Sequence, residues 1–127
     1  MMRKAAGIIG FTAALTMAMP FALAEGDAAA GEKVFKKCKA CHVVDSEKNR
    51  LGPTLKGVIG RASGSIDGFK YSKAMQGAGL TWDEATLDQY LADPKGFVPK
   101  NKMAFPGLKK EEDRANVIAY LKQATGG

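Results

Sequence analysis

Cys38-Lys39-Ala40-Cys41-His42 is the stretch whose reading decides the rest. Two cysteines, three apart, are followed directly by the only histidine in the chain. A C-x-x-C-H run reads as the attachment site of a covalent c-type haem. Near a helix end, positions 38 and 41 share a face. Both sulfurs can then reach the vinyl positions along one side of a porphyrin. His42 follows at once and comes under the ring plane, where its imidazole can ligate iron. Thioether bonds would consume both thiols. The alternatives have less behind them. A redox-active dithiol wants a βαβ context, and no segment alternates apolar and polar residues over strand length with turns on both sides. A zinc site needs a fourth ligand from Cys or His, and none remains. A structural disulfide between Cys38 and Cys41 would close a very small loop.

Toward the N-terminus, residues 1–24 read MMRKAAGIIGFTAALTMAMPFALA. Arg3 and Lys4 form a basic start, an apolar stretch follows, and Ala22-Leu23-Ala24 gives an A-x-A end. That is the layout of a secretory signal cleaved after Ala24, with residues 25–127 as one domain. The uncharged run from Ala5 to Ala24 is also just long enough to span a bilayer as a retained anchor. Pro20 and the small-residue end favour cleavage. The expectation is therefore export to the periplasm, an oxidising compartment in which a disulfide would also be permitted.

Charge and length bound the partners and the core. The whole chain has 127 residues, 19 Lys and Arg against 13 Asp and Glu, and a net charge of +6. Losing Arg3 and Lys4 leaves 17 bases against 13 acids, a balance of +4. The chain is too hydrophobic for disorder. Its two cysteines cannot make a multi-disulfide scaffold.

The periodic segments are helical. Asp27 can cap a first helix running to about Cys38, with Gly31 and Phe35 on one face. A glycine inside a helix suggests the close approach of another backbone. Thr81-Trp82-Asp83-Glu84 has the form of a capping box with Thr81 as N-cap. It opens a helix carrying Leu87, Tyr90 and Leu91, ended by Asp93-Pro94. A third helix runs from about Lys110 to Gln123, with Val117, Tyr120, Leu121 and Ala124 as its stripe. Glu111, Glu112 and Asp113 suit the positive end of its dipole. Between these helices, residues 43–70 and 94–107 are rich in glycine and proline and show no helical stripe. Loops of such length are uncommon in a domain of this size. Three helices with modest stripes are thin support for them, so something other than protein is expected to fill the middle.

The other face of the iron needs a ligand or an open site. A Met thioether there means electron transfer at raised potential. After cleavage only Met75 and Met103 remain. Met75 follows Tyr71-Ser72-Lys73-Ala74, a short helical turn, and reads as core filler. Met103 sits in Pro99-Lys100-Asn101-Lys102-Met103-Ala104-Phe105-Pro106-Gly107, where no helix packing accounts for it. Prolines there lower the entropy lost on ordering the loop. Met103 is the expected axial ligand.

Gly31-Glu32-Lys33-Val34-Phe35, Cys38 to His42, Leu51-Gly52-Pro53, Gly60-Arg61, Gly68-Phe69-Lys70-Tyr71, Thr81-Trp82, Tyr90-Leu91, Lys102-Met103 with Phe105, and Ala119-Tyr120-Leu121 follow one another in order. Together they resemble class I cytochromes c, the small soluble bacterial proteins of the cytochrome c2 type, close to mitochondrial cytochrome c. The resemblance implies an all-α cytochrome c fold: about three main helices, short helical turns and long loops wrapped around one covalent haem. It implies that Cys38 and Cys41 hold the haem c, with His42 and Met103 as axial iron ligands. The Pro53 carbonyl would accept from the other His42 nitrogen. Tyr71 and Trp82 would bond a buried propionate with Arg61 nearby, and Tyr90 would sit beside the Met103 sulfur. Gly31 and Phe35 would cross the last helix at Val117 and Tyr120. Phe105 would cover the exposed haem edge. The chain departs from the mitochondrial pattern in three places. Asn101 stands where a propionate-bonding Thr is usual, Met75 where an Asn joins the network near Tyr90, and the loop after His42 is one residue shorter.

With both axial positions filled, substrate cannot reach iron, so the expectation is a one-electron carrier and not an enzyme. Lys33, Lys36, Lys37 and Lys39 cluster at the attachment motif. Lys95, Lys100, Lys102, Lys109 and Lys110 flank Met103, and neither stretch holds an acid. As a set they suggest a docking ring for an acidic partner. By resemblance, the donor would be a quinol-oxidising membrane complex, and the acceptor a terminal oxidase or photosynthetic reaction centre. Nucleic acid is not expected as a partner, since no recognition motif is present. A monomer is expected.

Overall fold

A computed structural model describes residues 25–126. Residues 1–24, read as an export signal, lie outside the described residues. Five helices follow in order: α1 (Ala28–Phe35), α2 (Lys73–Gln76), α3 (Glu84–Ala92), α4 (Pro94–Phe97) and α5 (Glu111–Ala124). Among the described residues the only β feature is an isolated antiparallel bridge between Ala62 and Thr81. The all-α expectation holds, with α1, α3 and α5 as the three main helices.

α1 begins where its cap predicts. Asp27 accepts from the Ala29 N–H at 2.9 Å, satisfying one of the free N–H groups at a helix start. The Asp27 N–H donates to Asn116 Oδ1 of α5 at 2.8 Å. A Cβ at Gly31 would lie 1.9 Å from the Asn116 carbonyl oxygen. Glycine is what lets the two backbones touch, and α1 with α5 is the most extensive helix pair of the fold. Phe35 packs on Tyr120 with ring centroids 5.3 Å apart, and Val117 is buried at the same crossing.

α1 stops at Phe35, three residues before the expected Cys38. The chain continues in tight turns. Cys38 and Lys39 N–H donate to the Phe35 carbonyl, and Cys41 and His42 N–H to the Cys38 carbonyl. These turns carry the whole C-x-x-C-H run.

Two further helix boundaries differ from the sequence reading. Thr81 does not cap α3. It is held in extended backbone by its bridge to Ala62, where Trp82 N–H donates to the Arg61 carbonyl and Gly60 N–H to the Trp82 carbonyl. The cap passes to Asp83, whose carboxylate accepts from the Thr86 N–H at 2.8 Å. Pro94 does more than end α3, because it also opens α4. A proline fits the first helical position because its missing N–H would be unpaired there anyway, and Asp93 accepts from the Gly96 N–H at 3.1 Å.

Arg114 joins α5 to the rest. Its Nε donates to Asp88 of α3 at 2.7 Å, and its Nη1 to the Leu108 and Lys109 carbonyls. The core runs from the α1–α5 crossing to Trp82, Leu87, Tyr90 and Val98, with Cys38, Met103 and Phe105 half-buried against it. The long loops expected at 43–70 and around Met103 are irregular here also.

Candidate haem site

On one side of the site stands His42. Its Nδ1 lies 2.7 Å from the Pro53 carbonyl oxygen. A carbonyl can only accept, so Nδ1 carries the proton. Nε2 keeps its lone pair, the state a metal ligand needs. Burial holds His42 below the usual imidazole range; the Pro53 bond opposes this, and the positive Arg61 assists it. The ring is therefore neutral at pH 7. Gly52 fixes it by contact, since a Cβ there would fall 2.4 Å from His42 Cε1. Thr54, next to Pro53, is buried and ties the loop: its N–H donates to Asn49 Oδ1 and its hydroxyl to the Ser46 carbonyl. Cys38 and Cys41 are half-buried and not joined to each other. Burial pushes the Cys38 thiol up to about 11, against the pull of Lys37.

Met103 is half-buried against the same core. The Tyr90 hydroxyl donates to its sulfur at 3.7 Å. Burial pushes the Tyr90 phenol up to about 12, so it remains a donor. Trp82 packs on Tyr90 with centroids 5.0 Å apart, and Phe97 meets Tyr90 edge-on at 6.5 Å.

A third group of residues lies at 61–82. Arg61 Nη1 donates to the Lys56 carbonyl at 3.2 Å. Its Nε is buried with no partner among the described residues. An unpaired buried N–H costs about 1–3 kcal/mol. The Tyr71 hydroxyl accepts from the Ile66 N–H at 3.1 Å, which leaves its own proton for another acceptor. An orphaned guanidinium N–H near a phenol with a proton to give suits a carboxylate, the group a haem carries as propionate. The donor sets thus fit a haem: a neutral imidazole with Nε2 free, a thioether, two thiols, and unmatched donors for an anion.

Asn101 does not join that last group. It is 3% exposed. Its amide nitrogen donates to the Pro94 carbonyl at 2.8 Å and to the Val98 carbonyl at 2.9 Å, so no N–H remains for a propionate. Asn101 was named as a departure from the usual propionate-bonding Thr; its amide partners lie three and seven residues back, at Val98 and Pro94. Gly52 as a support for the imidazole was also missed, although a glycine directly before Pro53 was there to notice.

Lys36, Lys37, Lys39, Lys100, Lys102 and Lys109 are exposed. Lys95 is exposed too, but its Nζ donates to the Asn101 carbonyl at 2.5 Å. Glu25, Glu84, Asp88 and Glu111 share a groove beside α3 and α5.

The cytochrome c family model matches residues 28–125. A cytochrome c2 of Rhodomicrobium vannielii is 54% identical over 106 residues, 83% of this chain and 85% of that one. Cytochrome c-554 of Methylosinus trichosporium is 53% identical over 103 residues, covering 80% of this chain and 78% of its own. Among solved structures, cytochrome cH from Methylobacterium extorquens superposes with a TM-score of 0.73 at 56% identity, over 77% of this chain and 99% of that one. Sequence motif, helical fold and relatives agree: the chain belongs to the cytochrome c family and is an electron carrier, not an enzyme, with a covalently attached haem c.

Proposed function

We propose that this is a soluble periplasmic carrier, released by cleavage after Ala24, whose haem is attached through Cys38 and Cys41 and ligated by His42 and Met103. When bound, the haem supplies a one-electron Fe(II)/Fe(III) couple. The protein residues bind, orient and shield it. Pro53 and Gly52 hold the imidazole in one tautomer and one orientation. Tyr90 holds the thioether sulfur by its hydroxyl. Arg61, Tyr71 and Trp82 take the propionate end, and Phe105 covers an edge. No helix of the described residues is long and apolar enough to cross a membrane.

The observation that carries this reading is the pair of ligand-ready groups: His42 with Nε2 free and the Met103 sulfur under the Tyr90 hydroxyl. The test is the absorption spectrum of the oxidised holoprotein. A Met–iron charge-transfer band that disappears in Met103→Ala supports the assignment. A high-spin wild-type spectrum would overturn it.

Docking follows from charge placement. Lys36, Lys37, Lys39, Lys95, Lys100, Lys102 and Lys109 would steer a transient complex with an acidic surface. The donor would be a quinol-oxidising complex, and the acceptor a terminal oxidase or photosynthetic reaction centre. Electron transfer to such a partner should slow steeply as salt rises, because exposed charges are screened within about 10 Å at 0.1 M. A rate indifferent to salt would remove the lysines from the mechanism.

A further inference from the structure

We infer that Asn101 is a positioning residue for Met103, closing the segment from Pro94 to Met103 into a clip that holds the sulfur in place before and after electron transfer. The inference rests on Met103 being the iron ligand. The Asn101 amide joins three backbone groups at once. Its nitrogen donates to the carbonyls of Pro94 at 2.8 Å and Val98 at 2.9 Å, and its oxygen accepts from the Met103 N–H at 2.7 Å. Pro94 opens α4, Val98 follows it, and Met103 is the ligand. One side chain therefore ties the start, the middle and the end of the segment.

Two neighbours point the same way. The Asn101 N–H donates to the Val98 carbonyl at 3.1 Å, with Pro99 second and Lys100 third in that four-residue turn. Lys100 has φ 70°, left-handed without being glycine. That combination belongs to a type II turn, which favours glycine at the third place. A strained residue persists when its surroundings over-determine it, and the Asn101 bonds on either side do so. Lys95 Nζ then caps the assembly by donating to the Asn101 carbonyl. A thioether is a weak iron ligand. A loop already fixed in the bound geometry loses little entropy when the bond forms, and offers little room for a competitor to replace it.

The test is imidazole titration of the oxidised holoprotein at neutral pH, because imidazole binds by displacing the Met103 side. Asn101→Ala should raise imidazole affinity about tenfold or more, the scale of one or two lost buried hydrogen bonds. Asn101→Leu fills nearly the same space with neither an amide nor a buried charge, and should shift affinity the same way. Val117→Ala, at the α1–α5 crossing, should lower the melting temperature but leave imidazole affinity as in wild type. Wild-type affinity in both Asn101 variants would overturn the clip, as would an equal shift in Val117→Ala. Absence of the Met–iron band from the wild type would instead bring down the ligand assignment, and the clip with it.

Discussion

The two sides of the site solve different problems. His42 lies next to Cys41 in sequence, and the groups that fix it touch the ring itself: the Pro53 carbonyl at Nδ1 and the Gly52 backbone against Cε1. Met103 lies 61 residues beyond His42, with a weaker donor atom and no covalent neighbour. Among the described residues, only the Tyr90 hydroxyl hydrogen-bonds its sulfur. Much of the order there is built into the backbone, through Asn101, Lys95 and the Arg114 bonds to Leu108 and Lys109. A strong ligand in a short motif can be fixed by contact with its ring. A weak ligand on a long loop needs the loop fixed first.

The sharpest way to break this contrast is Gly52→Ala. The new Cβ would meet a ring that is bonded on one side and preceded by Cys41, the proposed haem anchor, so it has little room to step aside. We expect a loss of about 3 kcal/mol or more, at the upper end for overpacking, with poor haem incorporation. The check is the yield of covalently bound haem and the melting temperature of what is recovered. Wild-type yield and stability would mean that His42 is not held by contact.

Tyr90→Phe probes the one direct contact on the other side. It removes the hydroxyl bond to the Met103 sulfur and keeps the ring that packs on Trp82 and Phe97. The expected cost is about 1 kcal/mol or less, the worth of one hydrogen bond. It should appear as a modest rise in imidazole affinity and a small drop in melting temperature. An effect as large as that of Asn101→Ala would shift the weight from the backbone clip to the side-chain contact.

How much of this was legible follows the same divide. The attachment motif announces itself because its chemistry demands fixed spacing. The α1–α5 crossing showed through Gly31, a helix glycine with no other use. The Thr81 cap was misread because a bridge to Ala62, nineteen residues earlier, outcompeted the local capping pattern. Pro94 was read as a stop because a one-turn helix has too few residues for a periodic stripe. Asn101 was the least legible. An amide in a loop can face a ligand, water or its own backbone, and only coordinates place its three partners.

Lys100→Gly tests the strain in the clip. Left-handed backbone costs a non-glycine residue about 1–2 kcal/mol, and glycine gives back about 0.5–1 kcal/mol through its freer unfolded chain. The variant should therefore gain somewhat less than about 1 kcal/mol in thermal or denaturant unfolding. A loss would mean that the Lys100 side chain itself contributes to the loop.

The smallest effect is expected at Asp83, which caps the helix carrying Tyr90 and so serves as a control for the comparison. The bond from the Thr86 N–H holds its carboxyl below the usual carboxylate range. A group with a lowered folded value contributes stability that is present above its unfolded value and is lost as pH falls through the folded one. The Asp83 contribution should thus be full at neutral pH and fade in acid. Asn caps equally well without titrating. The melting-temperature difference between wild type and Asp83→Asn should then drift as pH is lowered from about 6 to about 3, moving against the wild type. Imidazole affinity at neutral pH should be the same in both proteins. A constant difference would remove the carboxylate from the cap, and a changed affinity would mean that the Met103 side answers to general helix stability as well as to its own loop.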